Sequence, residues 1–282
     1  MAALDRPQLT QVFSPASFQE LFAAWTRFPN AAPFAGGTEL IRYQGSQVLI
    51  LPQNILSLDK IDELQRITRT ERYLEIGAMV KLGDIINMGK IVPEALRLCL
   101  EGIGGPQLRF LATIGGNICT ANRRLDASAP MIALDATYEL RSASQARWIS
   151  ASRFSSLPGP LAFNPQELLT RIRIPLDQWN YTAYRKFGSR DAGKAGGALV
   201  FIIKTPKNVL TDIRIVFAGE GILRDRNNES LLIGKQLPLN RRDAADFVEH
   251  WKTYLSALDS LVPIVRQEIL NFIETLVFNL VD

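Results

Sequence analysis

Two short stretches combine residue types that could hold an anion: Phe34-Ala35-Gly36-Gly37-Thr38-Glu39-Leu40 and Thr113-Ile114-Gly115-Gly116-Asn117. Each has an apolar approach, a glycine pair, and then a short side chain able to hydrogen-bond. Glycine brings the backbone close to a ligand without a Cβ in the way and readily takes φ > 0. Successive N–H groups can then converge on an anion as a phosphate-binding nest. A pyrophosphate offers two adjacent anionic groups, so two such loops meeting in space would suit a dinucleotide. Taken singly, each glycine pair is an ordinary turn signal. The pairing gains weight because Thr38, Thr113, Asn117 and Thr120 place hydroxyl or amide groups beside the glycines.

Other groups are more ambiguous. Asp126 follows the second loop at a distance compatible with a sugar hydroxyl or a ring N–H, yet it could equally cap a helix beginning at Ala127-Ser128-Ala129. Arg123 and Arg124 could lie near phosphates or simply face solvent. The Rossmann fingerprint is absent: Gly102-Ile103-Gly104-Gly105 carries Gln107 at the final glycine position, and Gly219-Glu220-Gly221 carries Arg224 there. Gly188-Ser189-Arg190-Asp191-Ala192-Gly193-Lys194 has P-loop spacing, but Ala195 replaces the magnesium-binding hydroxyl and a strand-like run follows. That stretch reads as a glycine-rich hairpin or connection.

Counts of the remaining reactive side chains exclude several chemistries. Cys99 and Cys119 are the only cysteines and His250 the only histidine, too few for an iron–sulfur cluster or a Cys/His zinc site. His250 is expected on a helix surface. The two cysteines are expected as reduced packing thiols. No acid–base constellation stands out, so no catalytic residue and no metal ligand is assigned.

The elements that must position the loops follow from periodicity. A helix is expected from about Ser17 to Phe28 with Ser17 as N-cap, and a strand at Ala31–Phe34 feeds the first loop. Further strands are expected at Val48–Leu51, Tyr73–Ala78, Thr137–Arg141, Leu168–Ile174, Thr182–Phe187, Ala198–Lys204 and Asp212–Ala218. Helices are expected at Lys81–Met88, Pro93–Ile103, Ala129–Leu134, Arg241–Ala257 and Val262–Leu280, the second with Pro93 early in its first turn. Pro175-Leu176-Asp177-Gln178 is the expected domain boundary, and strands grouped before helices make the C-terminal half α+β.

The bulk properties fit this reading. The 282 residues are 47% hydrophobic and 21% charged, the profile of a folded globular chain. The net charge of +4 falls short of a nucleic-acid-binding face. The apolar C-terminal stretch is interrupted by Arg266, Glu268 and Glu274, which suits an amphipathic helix and not a membrane span. With no visible secretory signal, a cytoplasmic location is expected.

Together these segments resemble the FAD-binding medium subunit of the molybdenum hydroxylases, the family of xanthine dehydrogenase and carbon monoxide dehydrogenase. The resemblance rests on the two loops, Pro106-Gln107-Leu108-Arg109 before the second, Asp126 with Pro130, and Tyr184-Arg185-Lys186-Phe187-Gly188-Ser189-Arg190, all in the family's order. It implies an α+β fold: a two-lobed FAD-binding domain of the vanillyl-alcohol-oxidase type over residues 1–176 (lobes of about 1–52 and 53–176), then a smaller C-terminal domain over 177–282. FAD would lie extended between the lobes with its pyrophosphate on Phe34, Ala35, Gly36, Gly37, Thr38, Glu39, Thr113, Gly115, Gly116, Asn117 and Thr120. Asp126 and the matched positions Ile103, Leu169 and Lys186 would complete the contacts, Ile103 packed on the flavin ring, Leu169 matching a flavin-contacting leucine and Lys186 beside the isoalloxazine. The implied role is an electron-transfer subunit with an iron–sulfur partner, a molybdopterin-binding large subunit, and NAD⁺ or another acceptor. A self-contained flavin oxidase, or a scaffold that has lost FAD, are the alternatives. Phe110 stands where the family often has Asn, and Arg123-Arg124-Leu125 replaces its Ser-Pro-x-Gly pattern after Asn122; these departures motivate the scaffold reading.

Overall fold

A computed structural model describes residues 9–40, 50–120, 126–156, 160–188, 196–219, 222–258 and 261–281. The N-terminal lobe is built around β1 (Gln11–Phe13), α1 (Phe18–Arg27), β2 (Ala32–Phe34) and β3 (Asn54–Ser57). Ser17 caps α1 by accepting the Glu20 N–H, while the Glu20 carboxylate accepts the Ala16 N–H at 2.9 Å; this reciprocal cap satisfies amides the first turn leaves open. Leu21, Phe22 and Trp25 form the buried face of α1. The strands pair in parallel in the order β1-β3-β2, which aims the C-terminal end of β2 directly into Ala35-Gly36-Gly37. The strand expected at Val48–Leu51 falls partly on residues 41–49, outside the described segments; Ile50 and Leu51 are not in a strand. The strand that fills this place is β3, whose Ile55 and Leu56 are buried.

The second lobe is a five-stranded antiparallel sheet with helices on one face. Its strands are β4 (Ile67–Arg69), β5 (Tyr73–Gly77), β6 (Thr137–Arg141), β7 (Ala146–Ser150) and β8 (Leu168–Pro175), in the order β4-β5-β8-β6-β7. Between β5 and β6 run α2 (Leu82–Asn87), α3 (Glu94–Glu101), α4 (Pro106–Leu111), α5 (Ile114–Ile118) and α6 (Ser128–Ala133). Pro93 occupies the N-cap of α3 instead of its first turn, with an extended ψ of 133°. Two short helices, α4 and α5, flank the entry to the second glycine pair and were not separately visible in the periodicity. The short α7 (Ala151–Phe154) links β7 to the return through β8.

The C-terminal part forms an antiparallel sheet, β12-β11-β10-β9, from β9 (Tyr181–Phe187), β10 (Gly197–Lys204), β11 (Asp212–Ala218) and β12 (Ile222–Leu223). It is followed by α8 (Arg226–Ser230), α9 (Arg241–Ser256) and α10 (Pro263–Phe278). Both faces of β10 are covered. Ala198, Val200 and Ile202 join the core of the second lobe, while Leu199, Phe201 and Ile203 face α9 and α10. A strand buried on both sides reads as a continuous apolar run, as this one does. The sheet is further pinned by Arg214, which reaches the Ala133 carbonyl and the Asp135 carboxylate, both at 2.6 Å. The sheet carrying Lys186 therefore packs directly on the lobe carrying the second loop.

His250 lies exposed on α9 and its ring contacts the Asp246 carbonyl at 2.7 Å. Cys99 and Cys119 are free thiols, and burial raises both, Cys119 to about 12. Neutral packing thiols are what the sequence led us to expect. Among the described residues no helix is long and apolar enough to cross a membrane, and no group of His, Cys, Asp or Glu could hold a metal ion.

Candidate dinucleotide-binding site

The two glycine pairs meet. A Cβ placed on Gly36 would run into the carbonyl of Leu111 and sit 3.2 Å from Ala112 Cα, and a Cβ on Gly116 would sit 3.9 Å from the Ala35 side chain. Beside this contact opens a cavity of about 420 Å³ lined by Ala35, Gly115, Gly116 and Leu169, with Trp25 and Phe163 on its walls. The volume falls inside the roughly 300–1,000 Å³ span of small-molecule sites.

The first loop keeps its amides available. Among the described residues, no backbone acceptor meets the N–H groups of Ala35, Gly36 or Gly37. Gly37 has φ +68°, and a Cβ there would lie 2.6 Å from the Phe34 ring, so only glycine fits without strain. Residues 38–40 are helical, which places Thr38 and Glu39 in a first helical turn. Unpaired amides leading into a helix start make a site for negative charge.

The second loop differs from expectation. Its Ile114 N–H donates to the Val80 carbonyl at 3.0 Å and its Gly115 N–H to the Ala78 carbonyl at 2.9 Å. The Gly116 N–H donates to Thr113 Oγ1 at 3.0 Å and the Asn117 N–H to the Thr113 carbonyl at 3.0 Å. These amides are engaged, so Gly115 and Gly116 cannot grip an anion through a row of bare N–H groups. Gly115 is small because Ala78 packs on it: a Cβ would lie 2.7 Å from both the Ala78 Cβ and its carbonyl oxygen. The side chains beside them are committed too. Thr113 Oγ1 is the N-cap of α5, Thr120 Oγ1 donates to the Gly116 carbonyl at 3.2 Å, and Asn117 Oδ1 accepts the Ala127 N–H at 3.3 Å. What this loop offers a ligand is a smooth, Cβ-free surface and the remaining donors of those side chains.

Asp126 is not a helix cap. Its carboxylate pairs with Lys186 Nζ at 2.7 Å, joining the end of the second loop to β9. Near this pair, Tyr184 packs against Gly102, where a Cβ would lie 3.3 Å from the ring. Ile103 is buried to 8% exposure. The predicted residues thus fall into two groups: Ala35, Gly115, Gly116 and Leu169 line the cavity, while the Asp126–Lys186 pair and Ile103, next to the Gly102–Tyr184 contact, are not in its lining. The expected contributions of Arg123, Arg124 and Leu125, and the hairpin reading of 189–195, lie outside the described residues. Phe110 is 58% exposed, packs beside Gly83, and does not line the cavity.

Sequence reasoning missed the cavity's outer wall. Gln166, at φ +54°, donates from Nε2 to the Trp25 carbonyl at 3.0 Å and so ties the chain before β8 to α1. Glu167 holds that turn by accepting the Asn164 N–H at 2.7 Å and two donors of Arg147 at 2.7 and 2.8 Å. The Arg147 guanidinium, helped by the Asn164 donors and opposed by burial, keeps the Glu167 carboxyl below the usual range. No motif marks these residues; Trp25 carried only the signal of an apolar helix face.

Apposed glycine pairs beside a largely apolar cavity, carried by a parallel-stranded lobe and an antiparallel one, suit a dinucleotide site without a Rossmann unit. Residues 8–177 match the family described as the FAD binding domain in molybdopterin dehydrogenase. The glyceraldehyde dehydrogenase medium chain of Sulfolobus acidocaldarius is 31% identical over 226 residues, covering 78% of this chain and 80% of that one. The carbon monoxide dehydrogenase medium chain of Afipia carboxidovorans is 29% identical over 237 residues, covering 82% of each. The crystal structure of quinoline 2-oxidoreductase from Pseudomonas putida 86 contains a chain that superposes with a TM-score of 0.78 at 21% identity, over 98% of this chain and 96% of that one. The chain belongs to the FAD-binding family of the molybdenum hydroxylases: it is an oxidoreductase subunit and its cofactor is FAD.

Proposed function

We propose that this chain is the flavin relay of a molybdenum hydroxylase, taking electrons from an iron–sulfur partner and delivering them to NAD⁺ or another acceptor. In this reading a separate molybdopterin-binding chain oxidises the organic substrate. The observation that carries it is the contact between Gly36 and Leu111 beside the amides of Ala35, Gly36 and Gly37, which meet no backbone acceptor among the described residues. That cradle fits a diphosphate, and the cavity of about 420 Å³ fits one ring system at one end of it. The relatives' own names, medium chain and FAD-binding subunit, agree with a role as one part of a larger enzyme.

The residues divide the work. The first loop's amides hold the diphosphate, while Gly115 and Gly116 let it lie flat against the second loop. Leu169 and the cavity wall enclose one part of the cofactor, while Ile103 and the Asp126–Lys186 pair bound it elsewhere. Bound FAD supplies the redox chemistry, with the protein fixing position and electrostatics. Among the described residues nothing resembles a base poised for substrate oxidation, which favours the relay over a self-contained oxidase.

The test uses the purified full chain. Oxidised flavin bands near ~370 and ~450 nm should co-purify with it or appear on reconstitution. The chain should then form a stable complex with an iron–sulfur subunit, and reducing that partner should bleach the flavin. Direct bleaching by a small organic substrate with no partner present would replace the relay with the oxidase.

A further inference from the structure

We infer that Arg109 is a positioning residue that fixes the Ile103 loop against the isoalloxazine, although it touches no part of the crevice itself. The inference rests on the assignment of Ile103 to the flavin ring. Arg109 Nη1 donates to the carbonyl oxygens of Glu101 at 2.9 Å, Ile103 at 3.3 Å and Gly104 at 2.9 Å. One guanidinium therefore gathers three consecutive-turn carbonyls at the C-terminal end of α3, where partial negative charge accumulates. The same loop needs help to hold its shape. Gly104 has φ +50° and is pressed on by the Leu108 side chain.

Arg109 sits on α4, and α4 runs straight into the segment that meets the first loop. The Leu111 carbonyl lies against Gly36, and the Ala112 carbonyl accepts the Leu82 N–H at 3.0 Å. The clamp thus joins the loop at 101–104 to the strut that sets the two glycine pairs together. On its other flank the loop abuts Tyr184 of β9 at Gly102, two residues before Lys186. Loosening the clamp should free Ile103 and leave the first loop's amides as they were.

The experiment measures FAD and ADP affinity and the visible flavin band for the wild-type chain and for Arg109→Ala, Arg109→Gln, Ile103→Ala and the double variant Arg109→Ala/Ile103→Ala. Arg109→Ala should weaken FAD by about tenfold, the equivalent of one charge-assisted hydrogen bond. It should also move or broaden the ~450 nm band that reports on the ring's surroundings. ADP, which carries no flavin ring, should bind as in wild type. In the Ile103→Ala background, Arg109→Ala should add little, because coupled residues are non-additive. Should Arg109→Ala fail to fold, Arg109→Gln carries the same expectation for the band. An unchanged band and FAD affinity, equal losses for FAD and ADP, or additive effects in the cycle each overturn the inference. A wild-type chain that takes up no FAD would bring down the site assignment itself, a result distinct from these.

Discussion

The two glycine pairs share a sequence pattern and do different jobs. At Gly36-Gly37 no backbone acceptor among the described residues meets the amides, and one residue sits at φ +68°. At Gly115-Gly116 the amides are bonded to Ala78 and Thr113, and the pair sits in the first turn of α5. The first loop is built to offer charge-seeking N–H groups; the second is built to be thin. A phosphate site made from two loops needs only one to donate if the other lets it approach.

Substitutions at the glycines sharpen this contrast, and the largest effect is expected at Gly36. Gly36→Ala should destabilise the chain by about 3 kcal/mol, the upper part of the overpacking range, since its methyl meets the Leu111 backbone and neither side can yield cheaply. Thermal unfolding reads this, and FAD should be lost as well. Wild-type stability in that variant would mean the loops are not in contact.

At Gly37 the two readouts should separate. Gly37→Ala forces a side chain into the left-handed region at a cost of roughly 1–2 kcal/mol, and relief by flipping the peptide would turn the amides away. FAD retention should therefore fall by tenfold or more, roughly what one lost charge-assisted hydrogen bond predicts, with a small change in melting. Undiminished flavin content would contradict a donor role for this loop.

Gly116→Ala is the milder partner. Its methyl meets the Thr113 cap oxygen at 2.9 Å and otherwise finds room beside Ala35. A stability loss near 1 kcal/mol, comparable with a disturbed N-cap, and a few-fold weaker FAD affinity are expected. If this variant lost FAD as completely as Gly37→Ala, the second loop would have to be donating after all.

The smallest effect concerns acid. Glu167 has its folded pKa depressed, chiefly by Arg147. Its contribution is thus present above the ordinary carboxylate pKa and is lost as pH falls through the lower folded value. FAD affinity should hold from neutral pH down to about pH 5 and decline below about pH 4, the unperturbed carboxylate region. Glu167→Gln should bind FAD more weakly at neutral pH and flatten that acid limb; a limb unchanged in the variant would assign the acid loss to another group.

Much of the architecture could be read from the chain. The β-branched runs at Ala198–Lys204 and Asp212–Ala218, the Ser17 cap, and the amphipathic C-terminal helices are local signals, and each became the expected element within a residue or two. Short elements did not announce themselves. The helix at Ile114–Ile118 contains two glycines and is held by Thr113 and Ala78, not by propensity. The strand at Asn54–Ser57 owes its existence to parallel neighbours distant in sequence. Within the site, the left-handed conformation of Gly37 was legible from its glycine pair. The cavity wall of Trp25, Phe163 and Gln166 was not, because residues 141 apart in sequence meet only after α1 docks beside β8.

The order of side chains alone determined less than the family: two glycine pairs that let backbone approach a ligand, too few cysteines and histidines for an iron–sulfur cluster or a Cys/His zinc site, and apolar periods of strand and helix. Those are properties of composition and short-range geometry. Which amides stay unpaired, which glycine is small for a ligand and which for a neighbouring chain, and that Asp126 answers Lys186 were decided by folding. Hydrogen-bond partners and close approaches are long-range facts, fixed only when the lobes close on one another.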